Sequence, residues 1–127
     1  VNDVAGIRIV CPFKTDIAKI KDIIERDSKI DIIEVKDYIN KPKKSGYSGL
    51  HLISQTPVNI GDTEAQVKIE IQIRTMAMDF WATTEHKIKY KAKNKLSKID
   101  SKRMVQYAKI LNKIDEKVTK INAKYIN

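Results

Sequence analysis

The stretch Val67-Lys68-Ile69-Glu70-Ile71-Gln72-Ile73-Arg74 decides the organisation of this chain. Its apolar, β-branched residues occupy every second position, which is the period of a β-strand with one buried face. The opposite face carries Lys68, Glu70, Gln72 and Arg74, spaced about 6.6 Å apart because a strand rises about 3.3 Å per residue. Such a face is either the solvated outside of a half-buried sheet or the floor of a polar cleft, and the strand alone leaves both open.

The length and composition of the chain predict one globular domain. With 127 residues, of which 42% are hydrophobic and only 4 are Gly and 3 Pro, the chain can bury a core. No apolar run approaches the ~20 residues that span a bilayer and no signal peptide is visible, so a membrane is not an expected partner. The single cysteine, Cys11, lies in an apolar run and is expected in the core. A lone cysteine forms no intramolecular disulfide, which fits a reducing cytoplasm.

The positive charge is confined to the C-terminal third. Residues 1–81 hold 12 Lys/Arg and 12 Asp/Glu, whereas residues 82–127 hold 13 and 4, which accounts for the whole net charge of +9. The basic excess therefore says nothing directly about the central strand.

Three further strands and three helices are predicted around the central strand. The strands are expected at 4–13, 31–39 and 50–58, and the helices at about 15–28, 75–91 and from about Asp100. Thr15 or Asp16 is expected to cap the first helix. The strand, helix and strand within 4–39 predict a crossover connection on one sheet.

Three features outside the central strand are candidates for function, each with an ordinary structural alternative. The loop at 40–49 combines clustered lysines with Gly46-Tyr47-Ser48-Gly49, which is either solubilising charge or a place where backbone and an aromatic ring meet a ligand. His51 is either structural or functional. Arg8 interrupts an apolar strand and, if buried, needs an anionic partner.

The last helix carries a regular apolar seam with spacings of three and four residues, typical of a coiled-coil-like packing helix. The seam consists of Met104, Tyr107, Leu111, Ile114, Val118, Ile121 and Tyr125. Docking of a solvated helix on its own domain and an interface with another subunit both explain it.

Five stretches occur in an order and spacing that resemble one family over residues 3–91. They are Asp3-Val4-Ala5-Gly6-Ile7-Arg8, Val35-Lys36-Asp37-Tyr38, Gly46-Tyr47 with Leu50-His51, Glu70-Ile71-Gln72-Ile73-Arg74-Thr75, and Asp79-Phe80-Trp81-Ala82 with Glu85-His86-Lys87. Together they resemble the synthetase domain of the RelA/SpoT family, especially the small single-domain alarmone synthetases. The resemblance implies an α/β (α+β) fold, a mixed β-sheet flanked by helices and related to nucleotidyltransferases. It also implies transfer of pyrophosphate from ATP to the ribose 3′-hydroxyl of GDP or GTP, which yields AMP and the stringent-response alarmone (p)ppGpp.

The resemblance assigns roles to individual residues, and the polar face of the central strand is accordingly expected to line a cleft. Asp3 and Glu70 are the catalytic carboxylates and would hold Mg²⁺, a hard cation that takes oxygen ligands beside substrate phosphates; Glu70 is also the candidate base. The acceptor nucleotide is expected to meet Tyr47, which stacks on guanine, together with His51, Gln72, Lys43 and Lys36. Arg8 and Arg74 are expected to neutralise charge during transfer or to brace the carboxylates.

Two departures from the family pattern qualify this expectation. The family usually has a basic or polar residue and then Ser or Ala where this chain has Ser48-Gly49, which loosens the loop. The family's ATP-binding basic residues lie upstream of Asp3, so the chain is expected to be a fragment that keeps the acceptor half and turns over little. Residues 1–91 are expected to form the synthetase core and residues 92–127 a basic packing or oligomerisation helix, since small synthetases are typically homotetramers.

Two other functions remain as alternatives. A catalytically silent sensor of guanine nucleotide or alarmone would keep Tyr47 and His51 but would not need Glu70. An RNA-binding protein would use the basic last helix, but Tyr107 and Tyr125 fall on its apolar seam rather than among its lysines. A (p)ppGpp hydrolase is disfavoured because the family's hydrolase is a separate helical His/Asp domain.

Overall fold

The computed structural model describes residues 4–125. The strands are β1 (Val4–Cys11), β2 (Asp31–Asp37), β3 (Leu50–Ile60) and β4 (Thr63–Thr75), and the helices are α1 (Lys14–Arg26), α2 (Met76–Lys91) and α3 (Lys98–Ala123). Every predicted element is present, with ends that differ by a few residues from the predicted ones. Within these residues, none of the helices is long and apolar enough to cross a membrane.

The four strands form one mixed sheet in the order β1-β4-β3-β2. β4 pairs parallel with β1 and antiparallel with β3, and β2 pairs antiparallel with β3. β1 and β2 are therefore parallel to each other at opposite edges of the sheet, joined by α1. The predicted crossover on one sheet is confirmed, and so is the predicted fold class.

The alternation along β4 gives the sheet one apolar and one polar face. Ile71 and Ile73 are buried beside Leu52 of β3, and Leu52 and Ile73 have no exposed surface. Residues of two further strand positions and of α1 and α2 complete this core. They are Cys11 of β1, Leu50 of β3, Ile17 and Ile24 of α1, and Met78 of α2. The opposite face of β4 presents Glu70, Gln72 and Arg74, so the core fixes which side chains of β4 are available to a ligand.

The first helix begins earlier than predicted. Its N-cap is Phe13, and Asp16 lies at the third helical position, where its carboxylate accepts a hydrogen bond of 3.0 Å from the Phe13 backbone N–H. The expectation that Thr15 or Asp16 is the cap is wrong, because the Asp16 side chain reaches back by one turn to the donor that a cap would otherwise leave unpaired.

The last helix docks through a face that the apolar seam did not indicate. Its buried residues are Ala108, Asp115 and Thr119, whereas Tyr107 and Tyr125 on the seam are 51% and 78% exposed. The helix thus docks on its own domain, as one alternative expected, but small and polar residues make the contact. Most of the seam faces away from the domain.

Candidate functional site

The polar face of the sheet forms one wall of a cleft of about 740 Å³. The loop between β2 and β3 and the outer turns of α2 form the other walls. The lining residues include Gly6 and Arg8 from β1, Lys43, Ser45 and Tyr47 from the loop, His51 from β3, Gln72 and Arg74 from β4, and Thr83, Glu85, His86, Lys87 and Lys89 from α2. Cationic side chains outnumber the single carboxylate, which suits an anionic ligand.

The hydroxyl of Tyr47 lies at the centre of a hydrogen-bonded network in this cleft. Its oxygen is 2.6 Å from Nε2 of His51 and accepts a hydrogen bond of 3.1 Å from Nε of Arg74. His51 is buried and Tyr47 half-buried. The aromatic ring is therefore fixed from two strands, since His51 lies on β3 and Arg74 on β4.

The network continues from His51 to the carboxylate predicted to be catalytic. Glu70 Oε1 lies 2.9 Å from Nδ1 of His51 and accepts a hydrogen bond of 3.1 Å from Nε2 of Gln72. The Gln72 amide oxygen in turn accepts a hydrogen bond of 2.6 Å from Nη2 of Arg74. Glu70 itself does not line the cleft but is bonded to two residues that do. Together with the two contacts of the Tyr47 hydroxyl, these three contacts join β3, β4 and the loop in one closed network.

The protonation states of this network follow from burial. Burial lowers the pKa of His51; Glu70 acts in the opposite direction, and the nearby cations, Arg74 first, lower it further. Burial raises the pKa of Tyr47, and Arg74 only partly offsets this effect. The neutral His51 ring can therefore donate from Nδ1 to Glu70 and accept at Nε2 from the Tyr47 hydroxyl.

An aromatic and cationic cluster surrounds the Tyr47 ring. Tyr38 contacts both Tyr47 and His51 edge to face, with ring centroids 6.1 Å and 5.1 Å apart. The ammonium of Lys43 lies 4.8 Å from the Tyr38 centroid and 5.4 Å from that of Tyr47, and the Arg74 guanidinium is 5.2 Å from the latter. A flat ring with positive charge around it suits a nucleotide, which carries both a base and phosphates.

Arg8 and Arg74 share one carboxylate that sequence reasoning did not assign to the site. Asp79 Oδ1 lies 3.1 Å from Nη1 of Arg8 and 3.2 Å from Nη1 of Arg74. Arg8 has the anionic partner that a buried arginine would need, but it is not buried: β1 is an edge strand, and 53% of the Arg8 side chain is exposed. Arg74, at 11% exposure, is the enclosed member of the pair.

The remaining predicted residues lie at the margin of this geometry or outside it. Lys36 is exposed on β2 opposite His51 in the strand register, and it is not among the residues that line the cleft. Asp3 lies outside the described residues. Sequence reasoning did not assign Tyr38 or Asp79 to the site. Both residues lie within two of the five stretches that resemble the family, and this location could have indicated them.

Comparison with known proteins assigns this site to a family. A model described as "Region found in RelA / SpoT proteins" matches residues 1–95. The chain belongs to the RelA/SpoT family. Its match extends over β1–β4 and α2, so every described residue of the network lies within it.

Two Bacillus subtilis (strain 168) members of the RelA/SpoT family are similar in sequence. The GTP pyrophosphokinase YwaC is 45% identical over 118 residues, which are 93% of this chain and 56% of that protein. The GTP pyrophosphokinase YjbM is 35% identical over 120 residues, 94% of this chain and 57% of that protein. The chain thus spans a little over half the length of these relatives.

Solved structures of the family agree with the fold. The small alarmone synthetase 2 from Bacillus subtilis superposes with a TM-score of 0.88 at 44% identity, covering 94% of this chain and 65% of that one. The small alarmone synthetase 1 from the same organism, bound to its product pppGpp, gives a TM-score of 0.90 at 33% identity over 94% and 62% of the two chains.

Proposed function

We propose that this protein takes part in (p)ppGpp synthesis, the transfer of pyrophosphate from ATP to the 3′-hydroxyl of GDP or GTP. The closed network of Glu70, His51, Tyr47, Arg74 and Gln72 at the edge of a cationic cleft is the observation that carries the proposal. The names of the relatives, GTP pyrophosphokinase and small alarmone synthetase, support the same reaction.

Glu70 is proposed as the base of this reaction. The 3′-oxygen of the acceptor attacks the β-phosphorus of ATP, the bond from that phosphorus to the α,β-bridging oxygen breaks, and AMP leaves with the bond's electron pair. The hydroxyl proton goes to the Glu70 carboxylate. Because His51 and Gln72 hold Oε1 of that carboxylate, its orientation toward an incoming hydroxyl is fixed before the acceptor binds.

Tyr47 is proposed to stack on the guanine base, with His51, Gln72 and Lys43 around the acceptor. The hydrogen bonds of the Tyr47 hydroxyl hold the ring in place, so little conformational entropy is lost when a base stacks on it. The ammonium of Lys43 lies near the same ring and can meet a phosphate. Lys36 is proposed at the outer rim, since its exposed side chain neighbours His51 across the strand pair.

The two arginines are proposed to act at different distances from the reaction. Arg74 is engaged with Tyr47, Gln72 and Asp79 and therefore braces the network. The guanidinium of Arg8 is more exposed at the cleft wall, which suits it to neutralise charge on the transferred group.

Mg²⁺ is proposed as the cofactor, held by Glu70 and by Asp3, which is outside the described residues. Among residues 4–125, no group of three or more His, Cys, Asp or Glu side chains could hold a metal ion. Glu70 fits a metal site shared with Asp3 because its carboxylate is a hard oxygen donor. Its contacts with His51 and Gln72 both use Oε1, so Oε2 can serve as the metal ligand. Mg²⁺ commonly takes only one or two carboxylates together with substrate phosphates, and it supplies charge stabilisation at those phosphates.

The proposal extends to the organisation of the protein. Residues 1–91 would supply the synthetase core and 92–127 a helix for assembly, with a homotetramer as the expected state. The exposed seam on α3, with Ile114 and Ile121 at 50% and 55% exposure, supports an assembly surface. A cytoplasmic location is proposed because Cys11 is a free thiol.

The test is incubation of the protein with ATP, GDP and Mg²⁺, followed by chromatographic separation of the nucleotides, beside Glu70→Gln. We expect little turnover from this chain, with AMP and ppGpp formed in equal amounts by the wild type and neither formed by Glu70→Gln. GDP binding without product would favour the silent sensor. RNA binding with a steep salt dependence and no nucleotide binding would favour the RNA-binding alternative.

A further inference from the structure

The loop that carries Tyr47 is pressed against the C-terminal helix at a single glycine. Gly46 has φ of +95°, a backbone conformation that favours glycine. A Cβ atom at position 46 would lie 2.7 Å from Cβ of Ala108 on α3 and 3.4 Å from Cζ2 of Trp81 on α2. Ala108 and Trp81 therefore occupy the space that a side chain at position 46 would need.

The two helices that contact Gly46, α2 and α3, are hydrogen-bonded to each other beside it. The indole N–H of Trp81 donates a hydrogen bond of 3.1 Å to the carbonyl of Met104, one turn before Ala108. Trp81 and Ala108 are 5% and 9% exposed. This hydrogen bond joins α2 to α3 beside the contact with Gly46. A side chain added at position 46 would therefore displace the loop more easily than the helices.

The loop transmits this contact to the Tyr47 ring. The Gly46 N–H donates to the carbonyl of Lys43 at 2.9 Å, and the Lys43 N–H donates to the carbonyl of Tyr47 at 3.0 Å. These bonds make residues 43–47 a closed turn. A displacement of Gly46 therefore moves Tyr47 relative to His51.

A second contact from the same face of α3 reaches the end of β4. The Thr75 hydroxyl donates a hydrogen bond of 2.6 Å to Asp115, and both residues are almost fully buried. Asp115 follows Ala108 by two helical turns, about 10 Å along the axis. Thr75 directly follows Arg74 in the chain. The helix thus contacts the neighbours of both Tyr47 and Arg74, whose side chains meet at the Tyr47 hydroxyl.

We propose that α3 positions the acceptor site, with Ala108 as the positioning residue for Tyr47. The inference rests on the proposed function, since it takes a guanine nucleotide as the ligand of the Tyr47 ring. Ala108 does not contact the nucleotide. It sets the distance between the Gly46 backbone and α3, and Asp115 holds the end of β4 through its hydrogen bond with Thr75.

The test is a mutant cycle across the contact, read by calorimetric titration of GDP with Mg²⁺ into the full chain. Gly46→Ala adds the methyl group that meets Ala108, and Ala108→Gly removes its partner. We expect Gly46→Ala to weaken GDP binding about tenfold in the wild-type background, and about threefold or less in the Ala108→Gly background, where the backbone strain and the looser 3.4 Å contact with Trp81 remain.

A second pair of variants covers the case in which Gly46→Ala does not fold. Ala108→Val enlarges the same contact, and Ala123→Val makes the same change at an exposed position of α3. We expect Ala108→Val to weaken GDP binding about tenfold and to shift the fluorescence of Trp81, the single tryptophan, and Ala123→Val to do neither.

The outcomes separate this inference from the proposed function. Equal losses from Gly46→Ala in both backgrounds, or no loss from either Gly46→Ala or Ala108→Val, would overturn the positioning role while wild-type GDP binding stood. A folded wild type that does not bind GDP would overturn the proposed acceptor site, and the positioning role with it.

Discussion

Replacement of Tyr47 by Phe separates the hydrogen bonds of this side chain from its proposed stacking on guanine. The variant keeps the ring proposed to stack on guanine and removes only the hydroxyl. That oxygen is 2.6 Å from Nε2 of His51 and 3.1 Å from Nε of Arg74. The substitution therefore breaks two hydrogen bonds at once without opening a large cavity.

The expected loss of stability follows from the two groups that Tyr47→Phe leaves without a partner, Nε2 of His51 and Nε of Arg74. The His51 ring is 7% exposed and Arg74 has a side-chain exposure of 11%, so water replaces the hydroxyl poorly. An unsatisfied buried acceptor costs about 1–3 kcal/mol, and a lost hydrogen bond to a charged group a similar amount. Since the two are not additive, we expect the free energy of unfolding to fall by about 2–4 kcal/mol. For a chain of this length that corresponds to about 7–15 °C in Tm.

The assay is thermal or urea unfolding followed by circular dichroism, with GDP titration of the same samples. Tyr125→Phe, at a side chain that is 78% exposed, is the matched control and should change neither. GDP binding should survive in Tyr47→Phe, weakened less than in Tyr47→Ala. Wild-type stability in Tyr47→Phe would refute the network, and equal binding losses in Phe and Ala would refute stacking as the role of the ring.

Three further predictions concern the bracing carboxylate, the core and the thiol. Asp79→Ala should lower the free energy of unfolding by about 1 kcal/mol, since solvent weakens an ion pair that is partly exposed. It should also weaken GDP binding, because Arg74 loses the carboxylate that holds it in place. Leu52→Ala should cost about 2–5 kcal/mol in urea unfolding because the side chain has no exposed surface. Burial and nearby carboxylates raise the pKa of Cys11 from 9.0 to about 11, so at pH 8 it should react with Ellman's reagent about 100-fold more slowly than in the unfolded chain. The stability that this protonated thiol contributes is present below pH 9 and is lost as the pH rises toward 11.

Each of these predictions has a control or a contradicting result. Asp100→Ala, at an exposed pair with Arg103 of 3.8 Å, should change stability little; an equal effect at both aspartates would argue against a special role for Asp79. Ile60→Ala, at 62% exposure, should cost less than about 0.5 kcal/mol. A Cys11 thiol that reacts equally fast in folded and unfolded protein would show that it is not enclosed.

The central strand was predictable because its alternating pattern has one structural interpretation, although the pattern alone left the role of its polar face open. Alternation from Val67 to Arg74 fixed both the strand and its two faces, and the core around Ile71 and Ile73 requires that register. The glycines beside Tyr47 indicated a possible ligand contact, whereas the proposed roles of Tyr47 and His51 came from the family resemblance. Their mutual contact required the sheet, since the 2.6 Å contact depends on how the loop folds back over β3.

The features that the sequence did not predict depend on long-range packing. The exposure of Arg8 follows from the edge position of β1, which strand patterns do not encode. Asp79 becomes a site residue only because α2 starts where β4 ends and turns its first residues toward Arg74. The docking face of α3 carries Ala108, Asp115 and Thr119, so hydrophobic periodicity indicated the opposite, exposed side.

Calorimetric titration of GDP with Mg²⁺ into the wild-type chain and into Tyr47→Ala tests the central claim most directly. The account predicts saturable binding by the wild type and none by Tyr47→Ala, with Tyr125→Ala as the matched control that binds normally. Wild-type binding that Tyr47→Ala leaves intact would contradict the assignment of the acceptor site, and so would a folded wild-type protein that binds no GDP.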